Sequence, residues 1–180
     1  KLKPVEGRFE KIGKIKNQSK VILDYAHTPD ALKTCILNLK EQFPNKKIIL
    51  LFGCGGNRDQ NKRPKMGKIA DNYSDKIYLT DDNPRYENPH IIRKDIKKGI
   101  KRKKIIEISD RARAITTAIK NLNTGEILLV AGKGHEKTQD IGKRKIYFSD
   151  KKIILDSIKT KNKNLSNNLK LNIIKEVSGN

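Results

Sequence analysis

Ile48-Ile49-Leu50-Leu51-Phe52-Gly53-Cys54-Gly55-Gly56 is the stretch from which the fold is read. Five consecutive apolar residues leave no polar face, so a strand built from them is covered on both sides, the environment of a parallel sheet with helices above and below. The glycines that follow provide a tight loop at the end of that strand. The alternation repeats outward in both directions. Upstream, residues 21–23 form a short apolar run, and Thr28-Pro29-Asp30 has the form of an N-cap, a first-position proline and a first-turn acid. Ala31, Leu32, Cys35, Ile36, Leu39 and Phe43 then recur at helical spacing, which puts Cys35 on a buried face as a small hydrophobe. Downstream, strands over 77–80, 104–108 and 126–131 alternate with helices over 89–100 and 110–122. The pattern predicts an α/β fold: a Rossmann-like open, mostly parallel sheet flanked by helices. A C-terminal hairpin over 139–148 turns near Gly142, and Ser149-Asp150 caps a last helix through Ile158.

A chain of 180 residues with 35% hydrophobic content suits one domain with an ordinary core. Residues 1–160 are assigned to it, with 1–12 expected to be a linker from a preceding domain, because the sole methionine is Met66 and the chain is not expected to start at its own initiation codon. Residues 161–180, rich in Lys, Asn, Leu and Ser, are expected to be a disordered tail, with a short helical turn possible over 171–177. The net charge of +21 raises nucleic acid or an anionic membrane as partners. The lysines are scattered, however, aromatics are only 5%, and no basic stretch alternates with stacking residues. Neither a specific nucleic acid nor a membrane is therefore expected, and weak, salt-sensitive adsorption to polyanions is a by-product. No signal peptide or run of about 18 apolar residues is present. Two cysteines without CxxC spacing point to a reducing, cytoplasmic location.

In an open parallel sheet, ligands gather outside the carboxyl ends of the strands. Four polar segments fall there: Asp24-Tyr25-Ala26-His27, residues 53–59, Asp81-Asp82-Asn83-Pro84-Arg85, and residues 132–136. The third is the most telling. Arg85 offers a planar fork that can grip a carboxylate through two parallel hydrogen bonds, while Asp82 and Asn83 suit an ammonium group, and an amino acid carries both. Gly53–Asp59 and Gly132-Lys133-Gly134 match neither a dinucleotide fingerprint nor a P-loop, so no triphosphate cradle is expected in this chain. Cys54 with His135 and Asp110 raises a Cys-His hydrolase as a minority reading, although Phe52 breaks the nucleophile-elbow spacing. No pair among His27, His135, Asp24 and Glu136 has metal-ligand spacing, and His90 is expected on the surface at a helix start.

Taken together, Glu6-Gly7-Arg8-Phe9-Glu10, residues 24–32, 52–64, 80–85, 130–136 and 147–150 closely resemble, in order, the C-terminal domain of the Mur ligases, specifically of members that add diaminopimelate. The resemblance covers all but the tail. It implies an enzyme that uses ATP and magnesium to phosphorylate the D-glutamate side carboxylate of UDP-MurNAc-L-Ala-D-Glu, after which an amine of meso-diaminopimelate attacks the acyl phosphate, a step of peptidoglycan biosynthesis. By the same resemblance Asn83 and Arg85 of the Asp82-Asn83-Pro84-Arg85 turn hold the far carboxylate with Arg58 assisting, and Gly132 and Glu136 contact the amino group at that end. Arg8, Tyr25 and His27 approach ATP when the domain closes. The family's P-loop, magnesium ligands, carbamylated lysine and uridine-nucleotide pocket belong to central and N-terminal domains that this sequence lacks. The domain is thus expected to be inactive alone, with no catalytic residue and no metal ligand of its own. A stand-alone amino-acid-binding module and a basic polyanion-binding protein are the alternatives.

Overall fold

The computed structural model describes residues 6–102 and 104–178, with side chains as far as Leu171. Five parallel strands and one antiparallel strand form the main sheet: β1 Glu10–Ile12, β2 Lys20–Asp24, β3 Ile48–Phe52, β4 Lys76–Leu79, β5 Ile105–Glu107 and β6 Ile127–Ala131, in the order β1-β2-β6-β3-β4-β5. Within this sheet, among the described residues, the β1–β2 pairing is antiparallel and the others are parallel. The helices are α1 Pro29–Gln42, α2 Lys62–Tyr73, α3 Pro89–Lys97, α4 Arg111–Lys120 and α5 Asp150–Ser178, and β7 Thr138–Ile141 pairs with β8 Arg144–Tyr147 as a separate hairpin.

The apolar run of β3 is divided by the pleat. Ile48, Leu50 and Phe52 enter a core with Leu32, Ile36 and Leu39 of α1, Met66 and Ala70 of α2, and Ile92 and Ile96 of α3. Ile49 and Leu51 face the opposite way, toward Ala114, Ile115 and Ile119 of α4 and Ile154 and Ile158 of α5. Each such side chain contributes about 1.5–3 kcal/mol when fully buried, so a polar residue anywhere in β3 would cost stability whichever face it met. Thr28 caps α1 as expected, its hydroxyl accepting from the Ala31 amide at 3.3 Å, and Cys35 lies on the buried face.

Three features depart from the sequence reading. Helix α2 was not expected, because Lys-Arg-Pro-Lys-Met-Gly-Lys-Ile-Ala-Asp-Asn-Tyr has little apolar periodicity. It buries a narrow stripe through Met66, Gly67 and Ala70, and Gly67 is obligatory because a Cβ there would lie 2.1 Å from the Ile96 carbonyl oxygen of α3. Within the expected linker 1–12, residues 10–12 form β1 and belong to the sheet, while residues 1–5 lie outside the described residues. The expected disordered tail is instead the continuation of α5 to Ser178. Lys161 donates to the Lys120 and Leu122 carbonyls at 2.9 and 2.8 Å, satisfying the end of α4, Asn162 bonds the backbone of Lys14 and Lys16, and Leu165 packs on the core. Those partners are more than a hundred residues away in part, and low-complexity composition carries no trace of them.

Candidate functional site

Because β6 is inserted between β2 and β3, the loop after β6 lies between the loops after β2 and β3, with the turn after β4 beside them. These segments enclose a cleft of about 460 Å³ whose lining includes Tyr25, His27, Arg58, Asp82, Asn83, Arg85, Gly132 and Glu136. All but two of the ten residues singled out from the sequence thus share one cavity. Pro84 is buried behind the wall, and Arg8 is exposed outside, its guanidinium 5.9 Å from the Tyr25 ring. A larger groove of about 920 Å³ runs between α2 and α3, lined by residues such as Lys65, Lys68 and Arg102. Asp71 and Asp95 also line it, but its lining comes from these two helices and the segments at their ends rather than from the strand-end loops that carry the residues singled out from the sequence.

Backbone contacts brace the turn after β4. A Cβ on Gly56 would lie 1.9 Å from the Pro84 carbonyl oxygen, so only glycine lets the two loops meet, and the Gly56 amide donates to the Asn83 carbonyl at 2.8 Å. Arg85 has a left-handed backbone, φ +52°, held by its amide donating to the Asp140 carbonyl at 3.0 Å. Strained backbone of this kind persists where surrounding structure over-determines it, typically at a working site. Arg85 Nη1 donates to the Gly56 carbonyl at 2.8 Å, and its Nε lies 3.7 Å from Asp140 Oδ2. The side chain remains 23% exposed, which leaves part of its fork free for a ligand.

Acidic groups line the same cleft. Glu136 Oε2 accepts from Lys133 Nζ at 2.7 Å and from Asn83 Nδ2 at 3.0 Å. Burial works against ionisation of Glu136, but the bond and charge of Lys133, with the Asn83 amide and Arg111, outweigh it and hold the carboxyl below its ordinary value. Asp82 lines the same cleft. Gly132, at φ +115°, brings the chain so close that a Cβ would lie 2.8 Å from Asp82 Oδ2. Arg58 and Lys62 extend the basic side, Arg58 being exposed at the mouth. The cleft therefore brings cationic Arg58, Lys62 and Arg85 together with the carboxylates of Asp59, Asp82 and Glu136, groups of both signs that a zwitterion can use.

Next to it, Tyr25 stacks in tilted fashion on His27 and His135, with ring centroids 4.6 and 5.5 Å apart. Cys54 is inert: its thiol sits 3.6 Å from Met66 Sδ, and burial pushes it up to about 12. Asp110 caps α4 through the Arg113 amide at 2.9 Å. The hydrolase reading thus loses its nucleophile and its acid.

Residues 7–134 match the family model described as Mur ligase, glutamate ligase domain. The chain belongs to the Mur ligase family. Among its curated relatives, the UDP-N-acetylmuramoyl-L-alanyl-D-glutamate-2,6-diaminopimelate ligase of Rickettsia bellii (strain RML369-C) is 48% identical over 154 residues, covering 85% of this chain and 32% of the relative. The ligase of the same name from Buchnera aphidicola subsp. Baizongia pistaciae is 49% identical over 162 residues, covering 89% of this chain and 32% of the relative. A solved structure of a ligase with that name superposes with a TM-score of 0.80 at 37% identity, over 88% of this chain and 32% of that one. The chain spans about a third of the length of the curated relatives it matches.

Within this Mur ligase domain, sequence reading passed over three residues that build the cleft. Lys133 is fully buried and bonds both Asn83 and Glu136. Gln139 Nε2 donates to the Asp82 carbonyl at 2.7 Å, and the Asp140 amide donates to Asn83 Oδ1 at 3.0 Å. Lys133 was visible only as the middle of Gly-Lys-Gly, which was tested against phosphate loops, and the hairpin residues had no local signal at all.

Proposed function

We propose that this chain is the amino-acid-presenting domain of an ATP-dependent ligase that joins meso-diaminopimelate to UDP-MurNAc-L-Ala-D-Glu in peptidoglycan biosynthesis. The observation that carries this reading is the gathering of Arg58 and Arg85 with Asp82 and Glu136 in the lining of one cleft. Those groups suit the carboxylate and ammonium on the far carbon of diaminopimelate. The names of the relatives support the same substrate.

Anchored by that end, the amino acid presents its near amine to the activated D-glutamate side carboxylate. A carbon–nitrogen bond forms, the carbon–oxygen bond to phosphate breaks, and the amine gives up a proton. The contribution of this chain is to hold the nucleophile in place, which lowers the entropic part of the barrier. ATP supplies the phosphoryl group that activates the carboxylate. Arg8 and the Tyr25–His27 pair offer a cation and a stacking face that fit a nucleotide, while the tight triphosphate and magnesium sites are assigned to the rest of the enzyme.

Lysine lacks the far carboxylate, and stranding one partner of a half-buried charge pair costs about 2–5 kcal/mol. Calorimetric titration of this chain is expected to give binding of meso-diaminopimelate with L-lysine at least about 30-fold weaker. Equal affinities, or no binding of diaminopimelate, would overturn the reading. Because every wall of the cleft comes from this chain, a stand-alone amino-acid-binding module is the second reading, distinguished by an affinity that the rest of a ligase leaves unchanged.

A further inference from the structure

We infer that Lys133 is a positioning residue that sets the specificity of the cleft, by fixing which way the Asn83 amide points and which oxygen Glu136 offers. The inference rests on the diaminopimelate reading and adds a residue to it. Asn83 Oδ1 receives two donors, Lys133 Nζ at 2.9 Å and the Asp140 amide at 3.0 Å, while its Nδ2 donates to Glu136 Oε2 at 3.0 Å. A flipped amide would set its NH₂ against an ammonium and an N–H, so the network admits one orientation. The second Nδ2 hydrogen is then aimed by the frame and available to a ligand carboxylate. Glu136 Oε2 is occupied by Lys133 and Asn83, which leaves Oε1 to receive an ammonium.

Lys133 is fully buried, and a cation so placed is normally paired and held for a reason. It does not line the cleft, so its effect reaches the ligand through Asn83 and Glu136. Titratable and charged groups arranged around Glu136 are Lys133 on its own turn, Asp82 and Arg85 on the turn after β4, Arg58, Asp59, Lys62 and His27 elsewhere in the lining, and Arg111 at the start of α4. Among these only Lys133 touches the carboxylate. Its removal leaves burial as the dominant influence, so the Glu136 carboxyl rises. The ionised form is then lost as pH falls through the weakly acidic range, where the wild type still holds it.

The test is titration of this chain with meso-diaminopimelate, wild type against Lys133→Met, between about pH 7 and pH 5, with the Glu136 carboxyl followed by carbon-13 NMR down to about pH 3. The variant is expected to bind about 10- to 100-fold more weakly at neutral pH, the range for losing a hydrogen bond to a charged group, and to weaken further as pH falls, while wild-type affinity stays flat. Equal affinity in a variant with a native-like spectrum would overturn the inference and leave the substrate reading standing. No binding by the wild type would overturn both. Should Lys133→Met fail to fold, the wild-type titration still decides, since a Glu136 carboxyl titrating at or above its ordinary 4.5 would remove the role given to Lys133.

Discussion

Two arginines at the carboxyl rim of the sheet are used in opposite ways. Arg111, at the first position of α4, is fully buried and meets Asp150 through Nε at 2.9 Å and Nη2 at 2.7 Å, with Nη2 also donating to the Ala131 carbonyl at 3.1 Å. Both side chains of that pair have no exposed surface. Arg85 is 23% exposed, the Asp140 carboxylate lies 3.7 Å away, and its firmest bond is to a backbone carbonyl. A guanidinium closed on both sides ties elements together, here α4 to the start of α5. One fixed by its backbone and left partly exposed keeps donors available, which is the use we propose for Arg85. Nη1 of Arg111 has no hydrogen-bond partner among the described residues, so even the closed pair is not fully satisfied.

The comparison is broken most severely at the closed pair. Arg111→Ala is expected to lose about 3–5 kcal/mol of stability, because it strands the buried Asp150 carboxylate, measurable as a lower denaturant midpoint. The double change Arg111→Met with Asp150→Leu is expected to recover most of that loss, and failure to recover would mean that the pair contributes more than mutual neutralisation. At the open arginine, Arg85→Ala is expected to leave stability within about 1 kcal/mol of wild type. The same change weakens diaminopimelate binding by about 2–5 kcal/mol and affects lysine far less. Equal losses for both ligands would show that Arg85 supports the fold rather than the far carboxylate. The smallest effect belongs to Cys54. Cys54→Ala is expected to leave diaminopimelate binding unchanged and to cost about 1 kcal/mol of stability. With the thiol at about 12 and buried against Met66, the native chain should resist alkylation near neutral pH, and rapid modification would reopen the nucleophile question.

Much of the molecule was legible in short windows of sequence. The β3 run, the Thr28-Pro29 helix start and the Gly142 hairpin each follow from a few adjacent residues, because backbone preferences and strand or helix periodicity act over that range. So did the placing of Asp82, Asn83, Arg85, Gly132 and Glu136, since a parallel sheet sends every strand end to one rim. Only the tertiary structure decided which charges are shared and which are open. Arg111 and Asp150 are 39 positions apart and Lys133 and Asn83 are 50 apart, so their pairing depends on strand order rather than on neighbours in the chain. The same holds for α2, whose thin apolar stripe is sufficient only because Gly67 lets α3 approach, and for the far end of α5, where Lys161 and Asn162 find backbone partners supplied by distant segments. A run of apolar residues declares its own burial, whereas the value of a charge is set by what folding places beside it.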